Sequence, residues 1–233
     1  MAIDQIESGA ERGFALVVCL LAVVLMAALG VGLVMATTTE AMIAANFRSA
    51  LEARTAASAI VERAFVDLAR MIDWTPALNG GVRSAFYDGS PGVRPLSDGS
   101  EIDLRRIINM LNCNRSGSCS DAEMDASTAE RPWGTNNPRW QLFASGPLAA
   151  LTGGAGISRC YAVALVADDQ LENDGDPVRD GLDRSNPGTA ILRLRGEAFC
   201  GRSTRRGVEA TLVRDPLGTR LISWRETDRL DRP

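Results

Sequence analysis

The chain of 233 residues contains no histidine and no lysine; all 25 basic residues are arginine. Without histidine there is no Ser-His or Cys-His nucleophilic pair, and the commonest general base and zinc ligand are both missing. Carboxylate chemistry stays open, but the composition argues against an enzyme. The exclusive use of arginine reads as compositional bias before it reads as chemistry. Arginine-rich stretches at 202–206 and 225–232 alternate with polar or acidic residues and read as solvated faces. With 25 basic against 29 acidic residues and no basic cluster, a nucleic-acid surface is not expected.

Two further absences lie near the N-terminus. No proline occurs between Met1 and Thr75, and no charge occurs between Phe14 and Ala36. Those 23 residues are apolar apart from Cys19 and two glycines, Gly30 and Gly32. As a helix they reach ~34 Å, enough for the ~30 Å hydrocarbon core of a bilayer. The run begins abruptly after Ala10-Glu11-Arg12-Gly13. The residues beyond Ala36 are numerous enough for one domain with its own core.

The segment Arg12-Gly13-Phe14-Ala15-Leu16-Val17-Val18 resembles a class III prepilin leader junction. The stretch after it, Thr37-Thr38-Thr39-Glu40-Ala41-Met42-Ile43-Ala44-Ala45-Asn46-Phe47-Arg48, is similar to the post-anchor helix of PilX-type minor pilins, and an alanine-rich helix, Ala50–Leu68, follows. The resemblance to type IV pilin-like proteins covers residues 10–68. It implies cleavage by a prepilin peptidase after Gly13, methylation of the Phe14 amine, and packing of the apolar helix through residues such as Val18, Ile43, Phe47 and Leu51. It also implies partners: other pilins or pseudopilins and the inner-membrane assembly machinery. Major pilins carry a glutamate at the fifth mature position, whereas Val18 stands there here. PilX-type minor pilins and the K-type minor pseudopilin are similar in lacking it, and the resemblance therefore implies a tip or assembly role. An unpaired carboxylate in lipid is costly, so its loss is a functional difference.

Two other readings of the apolar run stay open. A secretory signal has a basic start, a shorter core and a small-residue cleavage site; Val34-Met35-Ala36 would serve, but the core is too long and Asp4, Glu7 and Glu11 precede it against Arg12 alone. A plain single-pass anchor is the other. Only Arg12 supports a cytoplasmic N-terminus by the positive-inside rule.

Cys19 lies in the apolar run and reads as a small hydrophobe. Cys113, Cys119, Cys160 and Cys200 come after it, an even number suited to an oxidising compartment. Four cysteines allow three connectivities. The expected pairs are Cys113–Cys119, closing a Gly/Ser loop, and Cys160–Cys200, joining two strand-like segments. The rival, a metal cluster, lacks Cys-x-x-Cys spacing.

Beyond the anchor, Ile43, Phe47, Leu51, Ala57, Val61, Phe65 and Leu68 recur at roughly helical intervals. One helix is therefore expected from Phe14 to about Met71, apolar in its first half and amphipathic in its second, with Gly30 and Gly32 as soft points and Trp74-Thr75-Pro76 as its stop. Residues 77–140 read as loop, with one helix at Ile102–Leu111 started by Asp98 or Ser100. Alternation then predicts strands at 159–167, 190–200, 206–214 and 220–225, joined by turns at 201–205 and 215–218. The expected fold is α+β: a long N-terminal transmembrane and amphipathic helix packed on a small antiparallel sheet of about four strands, the pilin-like layout. The expected division is 1–13 leader, 14–36 membrane helix, 37–73 amphipathic continuation and 74–233 periplasmic head, with the chain in the inner membrane, at a pilus tip or on the cell surface.

The acidic stretch from Asp168 to Asp183 is a calcium candidate through Asn173, Asp174, Asp176 and Asp180, since calcium takes oxygen ligands. No glutamate closes an EF-hand pattern, and a solvated turn is the alternative. The functional expectation is a minor pilin-like subunit for assembly or priming of a pilus or pseudopilus. A membrane-anchored, adhesin-like binding module that never enters a filament is the alternative.

Overall fold

A computed structural model describes residues 8–127, 134–151, 153, 158–170, 176–180, 190–201 and 204–227. The chain divides into two compact units, Met1–Arg48 and Ser49–Pro233. Helix α1 is Ser8–Ala69. Alanine and leucine carry its propensity, and neither Gly30 nor Gly32 interrupts it. Thr37, Thr38 and Thr39 return their hydroxyls to the carbonyls of Val34 and Met35 at 2.9–3.0 Å, so these polar side chains are satisfied within the helix.

The described residues of the first unit are all helical, and every residue from Gly13 to Arg48 is exposed. This stretch is long and apolar enough to cross a membrane. The second unit begins at Ser49, and the last third of α1 lies in its core.

The head also contains α2 (Thr75–Leu78), β1 (Val93–Pro95), β2 (Glu101–Asp103), α3 (Leu104–Cys113), α4 (Asp121–Asp125), β3 (Gln141–Pro147), α5 (Leu148–Leu151), β4 (Tyr161–Asp168), β5 (Ile191–Phe199), β6 (Arg205–Asp215) and β7 (Gly218–Thr227). Strands β3 to β7 form one antiparallel sheet in sequence order. It has five strands, one more than the alternation predicts; the additional one is β3, just after the segment expected to be loop. The small β1–β2 hairpin lies within that segment and is likewise additional.

On one face of the sheet, Ala56, Ala57, Ile60, Val61, Ala64 and Leu68 of α1 pack on Ala162, Ala164, Val166, Leu192, Leu194, Val208, Ala210 and Leu212. Alanines let the helix come close, and Gly196 completes the approach. A Cβ there would stand 2.4 Å from Val61 Cγ2 and 2.6 Å from the Ala57 carbonyl oxygen. On the other face, Leu96, Leu104, Ile107 and Trp140 cover Tyr161, Val163, Leu165, Ala167 and Phe199. Strand β4 is thus buried on both sides along its whole length.

Ile43, Phe47 and Leu51 do not join this core; they are 63%, 71% and 51% exposed. At about 100° per residue, the six-residue step from Leu51 to Ala57 does not return to the same face, so the expected single stripe is broken there. The helix ends at Ala69, where the Trp74 indole Nε1–H donates to the Leu68 carbonyl at 3.0 Å and supplies a partner at the helix end. Helix α3 starts two residues later than expected. Its cap is Asp103, whose carboxylate accepts from Arg105 N–H at 2.9 Å, and not Asp98 or Ser100.

Candidate functional site

Gly13 and Phe14 lie within α1, with Phe14 exposed and leading into an unbroken apolar surface that includes Val18. No charged residue stands between Phe14 and Thr39, so the segment offers hydrocarbon or another apolar helix a uniform face. Cys19 is a free thiol on that surface.

The four remaining cysteines form Cys113–Cys119 and Cys160–Cys200. The first joins the end of α3 to the segment leading into α4. The second ties the start of β4 to the end of β5, adjacent strands of the sheet. Both act on the head as covalent constraints on its unfolded chain.

Of the calcium candidates, Asn173 and Asp174 lie outside the described residues. Asp176 accepts from Val178 N–H at 3.4 Å and pairs with Arg179 at 3.4 Å. Asp180 is buried, accepts from Trp74 N–H at 3.2 Å and lies 3.5 Å from the Arg214 guanidinium. That guanidinium stacks on the Trp74 ring at 4.0 Å. Burial raises the Asp180 pKa, a shift that Trp74 N–H and Arg214 oppose. Asp180 therefore holds the turn after α1 against the sheet. Among the described residues no group of three or more His, Cys, Asp or Glu is placed to hold a metal ion.

The sheet face opposite α1 carries an ionic lattice that the sequence pattern does not reveal. Glu197 is almost wholly buried between Arg195 Nε at 2.8 Å and Arg205. Glu209 meets Arg193 at 2.9 Å, Arg195 at 3.8 Å and Arg225. Arg193 also lies over Trp140 at 5.4 Å, and Arg205 over Phe199 at 5.0 Å. Burial alone would raise the Glu209 pKa; Arg193, Arg225 and Arg195 outweigh it and hold the carboxyl below its usual range. Arg205 is half-buried against Glu197 and not the solvated face expected, whereas Arg225 reaches Glu209 with most of its side chain exposed; residues 202–203 and 228–232 lie outside the described residues. Alternation of charge along β5 is visible in the sequence, but which strand lies beside it is not.

A cleft of about 510 Å³ opens between α4 and the start of β3, lined by Asn112, Asp121, Asp125, Arg139 and Gln141 among others. Its polar groups chiefly hold the fold. Asn112 exchanges two hydrogen bonds with the Trp140 backbone, at 3.1 and 2.7 Å, and Arg139 donates to Asp125 at 2.6 Å. Helix α4 has a complete capping box, Ser120 with Glu123.

The two edges of the sheet differ. Along β3 the segment 84–88 closes the edge: Ser84 N–H donates to Phe143 O at 2.9 Å, Ser145 N–H to Phe86 O at 3.0 Å and Asp88 N–H to Ser145 O at 3.1 Å. Asp88 also accepts from the Ser145 hydroxyl at 2.8 Å and the Tyr161 hydroxyl at 2.7 Å. Along β7 no backbone hydrogen bond from another described segment reaches the outer side.

Compared with family models, curated proteins and solved structures, the chain matches none.

Proposed function

We propose that the chain is a minor pilin-like structural subunit, held in the inner membrane by residues 14–36 with its disulfide-bonded head in the periplasm, and serving assembly or priming of a type IV pilus or pseudopilus. The observation that carries this reading is the junction itself. An abrupt Gly13-Phe14 start opens an apolar helix whose large apolar side chains stay exposed as far as Arg48. Such an exposed surface requires lipid or other helices. The α+β head, with a helix laid on an antiparallel sheet, suits the same reading. Val18 favours a minor over a filament-body role, because a subunit without the fifth-position glutamate has nothing to offer the terminal amine of a neighbour.

Deleting the chain from its host tests the role. The expected outcome is few or no surface filaments while the main filament subunit accumulates in the inner membrane. Normal filament number in the deletion strain would contradict it and favour an anchored module that stays outside the filament.

A further inference from the structure

We draw no further inference here: the strongest candidate, the apolar surface patch of Leu221, Ile222 and Trp224 on the outermost strand β7, 38%, 53% and 43% exposed, carries none because nothing in the structure shows what covers it.

Discussion

Residues 14–48 and 49–69 of α1 are both helical and both rich in alanine and aliphatic side chains, but their neighbours differ. The second stretch buries Ala53, Ala56, Ala57, Ile60, Val61, Ala64 and Leu68 completely against the sheet. The first leaves Leu16, Leu25, Leu33, Ile43 and Phe47 exposed. Small residues mark the buried stretch and large ones the exposed stretch, the reverse of what a single soluble core would select. Close helix–sheet approach needs alanine, and a surface in hydrocarbon needs bulk. The difference teaches that apolar content alone does not say which half of such a helix its own domain covers.

The comparison can be broken at both ends. The largest effect is expected for Gly196→Val, since even a Cβ meets the Ala57 carbonyl and Val61; the strain should cost about 3 kcal/mol or more. Loss of a cooperative thermal transition in the head measures it. Leu25→Asp, in the exposed half, should cost about 2.5–3.5 kcal/mol of membrane insertion and leave the transition of the head unmoved. Membrane fractionation beside calorimetry separates the two outcomes.

A smaller effect concerns the ionic lattice. The folded pKa of Glu209 lies below its unfolded value, so its contribution is full above the unfolded value, about 4.3, and is lost as pH falls through the folded value. Glu209→Gln is expected to lower the thermal midpoint at neutral pH, with the gap to the unmodified chain closing on acidification. A gap independent of pH would remove the electrostatic explanation. Smallest of all is Phe47→Ala, which should change the stability of the head in detergent by less than about 0.5 kcal/mol, because Phe47 touches none of the core.

Much of the fold is legible in the sequence. The apolar run marks the exposed helix, and alternation marks β4 to β7 to within a few residues at each end. Strand β3 is not legible, because Gln141–Pro147 ends in Ala-Ser-Gly-Pro and lacks the β-branched residues that mark β4. The sheet-facing stripe of α1 is blurred for a related reason: alanine carries a weak hydrophobic signal, and Ile43, Phe47 and Leu51 carry a strong one that leads elsewhere. Helix α4 is readable in principle from Ser120-Asp121-Ala122-Glu123, a capping-box pattern in a segment that otherwise reads as loop. The buried glutamates and the open β7 edge are beyond reach, since both depend on which strand lies beside which.

The most direct measurement is the mass of the N-terminal peptide of the chain recovered from host membranes. The pilin-like reading predicts a chain beginning at Phe14 with a methylated amine. A chain beginning at Met1 would contradict it and leave a plain anchor, and one beginning at Thr37 would contradict it in favour of a secreted head.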